Sequence, residues 1–175
     1  MQKISPQLVS SGAFNDDIYK VTDVSIIPDF DILCAGFPCQ PFSQIGKKMG
    51  FSDNLDGRGN IFFEIEKILR LKKPRAFILE NVQHLVSHDN GNTFSKIKHS
   101  IKALEYSFYD KVFNASDFNL PQRRPRTYMV GFRDENKSNI EFKFPEPIPL
   151  KKDMTWVFGR KCEKKIGYTL RVGGV

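Results

Sequence analysis

A chain of 175 residues, 40% hydrophobic and 27% charged, has the composition of an ordinary soluble domain with apolar side chains enough for a real core. Lys and Arg outnumber Asp and Glu by 27 to 20, a net charge of +7 that favours a polyanionic partner without proving one. No apolar run is long enough to cross a bilayer, and the first residues lack the basic-then-apolar layout of a secretory signal, so a cytoplasmic protein without a membrane partner is expected. The three cysteines (Cys34, Cys39 and Cys162) show neither a disulfide framework nor zinc-ligand spacing, which predicts at least one free thiol and no metal site.

In chain order, Met1 to Phe14 is polar and weakly patterned and reads as an irregular lead-in. Asp31 to Gly36 is short, apolar and closed by Gly and Pro, the pattern of a buried strand in a parallel sheet, with Cys34 as a small buried residue of it. From Gly59 to Leu71 the apolar residues Ile61, Phe62, Ile65, Ile68 and Leu69 recur at helical spacing. Pro74 punctuates, and Ala76 to Leu79 is a second apolar strand. Asn92 or Thr93 is placed to cap a second helix whose buried stripe is Phe94, Ile97, Ile101 and Leu104. Strands are expected again over Ser107 to Phe113 and Thr127 to Phe132. After Arg133 the pattern decays into the proline-rich connector Phe144 to Pro149 and a tail too short for a second domain.

Strand, helix, strand, helix, strand predicts an α/β sheet with right-handed crossovers, whose working residues sit in loops beyond the carboxyl ends of the strands. Three segments stand there. In Gly36-Phe37-Pro38-Cys39-Gln40-Pro41-Phe42-Ser43 two prolines bracket a cysteine directly after a strand, a stiff loop that presents one thiol; a small buried cysteine is the plainer alternative. Glu80-Asn81-Val82 sets a carboxylate at the end of an apolar strand, where it is costly unless used or paired; a helix cap or loop salt bridge would also account for it. In Gln122-Arg123-Arg124-Pro125-Arg126, alternation puts Arg124 and Arg126 on one side of a strand entrance, fit to bind phosphate, carboxylate or a polarised carbonyl, or to form a solvated basic patch.

Together GFPCQPFS, ENV and QRRPR resemble, in order and at ordinary spacing, the Pro-Cys, Glu-Asn-Val and Gln-x-Arg-x-Arg motifs of bacterial-type cytosine-5 DNA methyltransferases, and the similarity runs from about Asp16 to Arg133. The resemblance implies a Rossmann-like S-adenosylmethionine-dependent methyltransferase sheet with helices on both faces. It implies methyl transfer to C5 of a cytosine flipped out of double-stranded DNA, within a restriction-modification system. Cys39 would attack C6, Glu80 would bond the N3/N4 edge, Arg126 would contact O2, and Arg124 would support the loop. The resemblance places Asp17, Pro38 and Ile61 against the cofactor, and Gln40, Ser43, Lys47, Lys48, Arg58 and Gln122 toward DNA, with Gln44 to Gly59 as a closing loop. A long solvated loop is the alternative there. A tRNA methyltransferase of the same superfamily is the neighbouring reading, against which the GFPCQPFS form and the tail argue.

Two features of the family differ here. No Phe-x-Gly-x-Gly loop precedes Asp16-Asp17-Ile18, and Tyr168 to Gly174 resembles only the opening of the family's target-recognition region. The expectation is therefore a partial catalytic domain over residues 1–150 and the start of a recognition region over 151–175. Such a chain is either a catalytic portion that needs a complementary methyltransferase polypeptide or an inactive remnant.

Overall fold

The computed structural model describes residue 18 and residues 23–38, 61–133 and 141–168. Alternating apolar side chains set β1 (Ile32–Gly36) beside β2 (Ala76–Val82) in parallel, joined by α1 (Ile61–Lys72). The chain then forms α2 (Asn92–Ala103), β3 (Tyr109–Asn114), the short β4 (Gln122–Arg123) and β5 (Pro125–Phe132). The four long strands make one sheet in the order β1-β2-β5-β3, with β5 antiparallel to both neighbours. The sheet is therefore mixed rather than parallel throughout, because the chain returns from β3 to β5 without a crossover helix.

Both predicted helical stripes reach the core. Phe62, Ile65 and Leu69 of α1 and Phe94, Ile97 and Ile101 of α2 pack with Phe77, Leu79 and Met129 on one face of the sheet, with Leu104 half-buried beside them. Two helices on one face, with the strands stepping in one direction, follow from right-handed crossovers. Lys73 leaves α1 in the left-handed region (φ 48°), ahead of Pro74. The cap expected from Asn92 or Thr93 is absent. Gly91 (φ 84°) is the N-cap residue, preceded by Asp89 and Asn90 in the same left-handed region. That turn supplies the entry geometry, and the Thr93 hydroxyl instead meets His88 Nδ1 at 2.7 Å.

The second face is covered in part by aromatic rings. Phe142 and Phe144 come back over β3 and β5, with Phe142 packed on Tyr109 and Phe132 and Phe144 meeting Phe113 edge-on at 5.5 Å. The segment read as a plain connector is therefore extended but also a wall. Toward β1 the same face is open among the described residues: Ile32 and Ile78 are exposed, and so is Cys34. This corrects the expectation of a buried strand and a buried Cys34, since Ile32, Cys34 and Ile78 share the face turned away from the helices. The tail forms α3 (Met154–Phe158) and β6 (Gly167–Tyr168), and β6 pairs with β4. Among the described residues no helix is long and apolar enough to cross a membrane.

Candidate active site

β2 continues past Leu79 to Val82, so Glu80 is a strand residue, not a loop residue as the sequence suggested. The extension is held by pairing with β5, where Glu80 faces Tyr128 and Val82 faces Arg126. Period-two alternation then puts Glu80, Arg126 and Tyr128 on the face away from the helices and Asn81 on the core face. Arg126 reaches diagonally across the strands, and its Nε donates to Glu80 Oε1 at 2.8 Å, while its Nη1 donates to the Pro125 carbonyl at 2.8 Å. Side-chain exposures of 20% for Arg126 and 36% for Glu80 leave the pair in contact with solvent, so its net stabilisation is about 1 kcal/mol. Its value lies in orientation. With Oε1 held, Oε2 lies over Gly36 at the end of β1, where a Cβ would stand 3.4 Å from it.

Glu80, Gln122, Arg124 and Arg126 line one cavity of about 550 Å³. Its other wall is aromatic, including Phe113, Phe118, Tyr128 and Phe144. Arg124 lies between β4 and β5 rather than within a strand; it is exposed, and its N–H donates to Asn114 Oδ1 at 2.7 Å. The structure thus brings the second and third predicted segments together. Among the described residues no three or more His, Cys, Asp or Glu could hold a metal ion.

Of the predicted cofactor residues, Pro38 is exposed just beyond β1 and Ile61 is half-buried at the start of α1. Their neighbours Phe37 and Phe62 touch, ring centroids 5.9 Å apart, so Pro38 and Ile61 flank one corner of the sheet. Asp17, Cys39, Gln40, Ser43, Lys47, Lys48 and Arg58, with the predicted closing loop Gln44 to Gly59, lie outside the described residues. Two features escaped the sequence reading. The aromatic wall was signalled by the alternation Phe142-Lys143-Phe144, and Asn81 by its polarity inside an apolar strand. Asn81 is 1% exposed; its Nδ2 donates to the Phe37 carbonyl at 2.8 Å, and its Oδ1 accepts from Val82 N–H at 2.8 Å.

A carboxylate and a guanidinium sharing a half-aromatic cleft at the carboxyl end of an α/β sheet suit a planar, polar ligand. The sequence profile of the C-5 cytosine-specific DNA methylase family matches residues 10–170. The chain belongs to that family. It is 56% identical over 124 residues to the type II methyltransferase M.HaeII of Haemophilus aegyptius, covering 71% of this chain and 37% of that protein. It is 51% identical over 135 residues to the type II methyltransferase M.HhaI of Haemophilus parahaemolyticus, covering 77% and 39%. The chain thus spans less than half the length of these curated relatives. A solved DNMT2 variant from Spodoptera frugiperda superposes with a TM-score of 0.49 at 22% identity, over 87% of this chain and 40% of that one.

Proposed function

We propose that this chain is the catalytic segment of a DNA (cytosine-5-)-methyltransferase of the restriction-modification type, acting on a cytosine flipped out of double-stranded DNA. The observation that carries the reading is the Glu80–Arg126 pair, fixed across two strands and lining one cavity at the carboxyl end of β2. In the duplex the target carbons are stacked out of reach, so the base has to leave the helix before it can react.

The Cys39 thiolate forms a bond to C6, and the electrons of the C5–C6 double bond move toward N3 and O2. Glu80 hydrogen-bonds the N3/N4 edge and holds a proton at N3 as charge develops there. Arg126 bonds O2, with Arg124 supporting the loop. Donors fixed in place before reaction need little reorganisation, which makes this electrostatic stabilisation the largest contribution. S-adenosylmethionine, when bound, supplies the methyl group that C5 takes. Loss of the C5 proton to a base then restores the double bond and expels the Cys39 sulfur. Pro38 and Ile61 fit the cofactor as apolar flanks of one corner, and Asp17 completes that set. Gln40, Ser43, Lys47, Lys48, Arg58 and Gln122 are assigned to DNA, and residues 151–175 to the start of the target-recognition region.

A complementary methyltransferase polypeptide is the partner proposed for the face of β1 that is exposed among the described residues. The test is covalent trapping on a duplex carrying 5-fluorocytosine, with S-adenosylmethionine. Fluorine at C5 blocks the release step, so a denaturation-stable complex is expected, from the chain alone or with a complementary polypeptide, and Cys39→Ser abolishes it. No complex under either condition overturns the enzyme reading and leaves the inactive remnant.

A further inference from the structure

The segment between β3 and β5 carries Gln122 and Arg124 to the cavity, yet most of it is irregular. Its own bonds are short turns: Phe118 and Leu120 N–H donate to the Ala115 carbonyl, and Arg124 N–H donates to Asn114 Oδ1 at 2.7 Å. The tail meets this segment along its length. Ile148 N–H donates to the Asp117 carbonyl at 2.8 Å, and Lys151 N–H donates to Asn119 Oδ1 at 2.7 Å. Gly167 N–H donates to the Pro121 carbonyl at 2.9 Å, and β6 pairs with β4 in the register Gln122 to Gly167 and Arg123 to Tyr168. Behind β6 stands α3: Met154 N–H donates to the Lys165 carbonyl at 3.0 Å, and a Cβ on Gly167 would lie 3.0 Å from the Met154 sulfur. The exposed Tyr168 ring takes one cation from each side of the junction, Arg123 at 5.6 Å and Lys164 at 5.3 Å.

Shielding the backbone groups of an irregular loop would by itself account for such bonds. Their order argues for more. They fall at Asp117, Asn119, Pro121 and both residues of β4, and the next residue, Arg124, is an exposed guanidinium at the cavity. Phe142 and Phe144, from the start of the same stretch 141–168, wall that cavity too. We propose that β6 is a positioning clasp, which by pairing with β4 sets where Gln122 and Arg124 stand. The stretch assigned to the start of the recognition region thereby also holds the arginine side of the site; this rests on the reading of the cavity as the cytosine site. Gly167 suits the junction because its N–H reaches Pro121 while no side chain presses on Met154. Tyr168 adds a flat ring for Arg123, so backbone pairing and ring contact act on the same short strand.

The first test is peptide-resolved hydrogen exchange on the full chain. Gly167→Pro removes the donor to Pro121 and is expected to speed exchange over residues 119–124 by about tenfold, the population equivalent of losing one hydrogen bond. Peptides from α1 and β2 are expected to stay as in the parent. If that variant unfolds, Tyr168→Ala carries the same measurement. The second readout is the trapping rate on the 5-fluorocytosine duplex at saturating DNA. Tyr168→Ala is expected to slow it by roughly two- to fivefold, the equivalent of one exposed cation–π contact, and Tyr168→Phe to keep the parent rate. In an Arg124→Ala background the Tyr168→Ala loss is expected to vanish, because both act through one side chain. Unchanged exchange over 119–124, or acceleration of α1 and β2 to the same extent, overturns the proposal, as does a Tyr168→Ala loss that persists in full without Arg124. Exchange uses no DNA or cofactor, so failure of the clasp and failure of methyl transfer are read separately.

Discussion

Gly131 sits in β5 opposite Phe77 of β2, on the face that packs against the helices. A Cβ added there would lie 2.2 Å and 2.4 Å from two carbons of the Phe77 ring and 2.3 Å from the Ser107 carbonyl oxygen. Non-bonded carbons rest at about 3.5–4.0 Å, so the ring would have to retreat by more than an ångström. It has nowhere to go: Phe77 is fully buried, with Tyr106 and Phe108 at ring distances of 5.6 Å and 6.3 Å. The Ser107 oxygen is backbone, and its residue is tied to Phe132 by a 2.8 Å N–H to carbonyl bond and a 2.9 Å bond from Phe132 N–H to the hydroxyl. Gly131→Ala should therefore cost about 3 kcal/mol, the upper range for overpacking, of which lost freedom in the unfolded chain returns less than about 1 kcal/mol. For a chain of this size a net loss of 2–3 kcal/mol lowers Tm by roughly 4–12 °C. Urea unfolding followed by circular dichroism, with an unchanged m-value, measures it. Adding Phe77→Leu relieves the ring contacts but not the backbone one, so the double variant should not return to the single Phe77→Leu level. A Gly131→Ala chain melting within about 2 °C of the parent would refute this reasoning.

Thr127 is fully buried and its hydroxyl has no hydrogen-bond partner among the described residues, so Thr127→Val should raise stability by about 1 kcal/mol, read as a Tm increase of a few degrees. The Tyr106 hydroxyl donates to the Pro74 carbonyl at 2.6 Å in a buried setting, and Tyr106→Phe should cost about 1–1.5 kcal/mol by urea unfolding. In the trapping reaction Glu80→Gln should lower the rate of complex formation by about 10²–10³, the scale for losing a charge-stabilising group, with the melting curve little changed. Asp23 should titrate below the ordinary aspartate range by NMR, because Ser25 donates side-chain and backbone hydrogen bonds to its carboxylate. A depressed folded-state value means the cap on Val24–Ile26 is present above the ordinary value and lost as pH falls through the lowered one.

The parts of this fold legible in the sequence are those where one residue's character decides its environment. Phe62, Ile65 and Leu69 repeat at helical spacing because one stripe of α1 meets the sheet, and that stripe is visible without neighbours. The ends of β2 and β5 were not legible, because Glu80 and Arg126 look unsuited to a strand until each is seen to satisfy the other across it. The exposure of Cys34 also escaped the sequence: its side of β1 depends on what lies over the sheet, and an apolar run carries no mark of that. For the site, motif order marked Glu80, Arg124 and Arg126, and the structure gathers them with Gln122 around one cavity. The amide of Asn81 stayed hidden because its partner is a carbonyl, which every residue possesses.

Core and site share one alignment of β2 against β5. Sliding β2 by a single residue would turn Glu80 inward among Leu79's neighbours and send Asn81 outward, and sliding β5 would likewise exchange Arg126 and Thr127. Packing of Phe77 and Leu79 therefore proofreads the chemistry on the opposite side. Substitutions along these strands can be absorbed one at a time, whereas a one-codon insertion or deletion between Ala76 and Val82 or between Pro125 and Phe132 would erase core and site together. In a lineage of such genes, length in these two stretches should be inherited more strictly than composition.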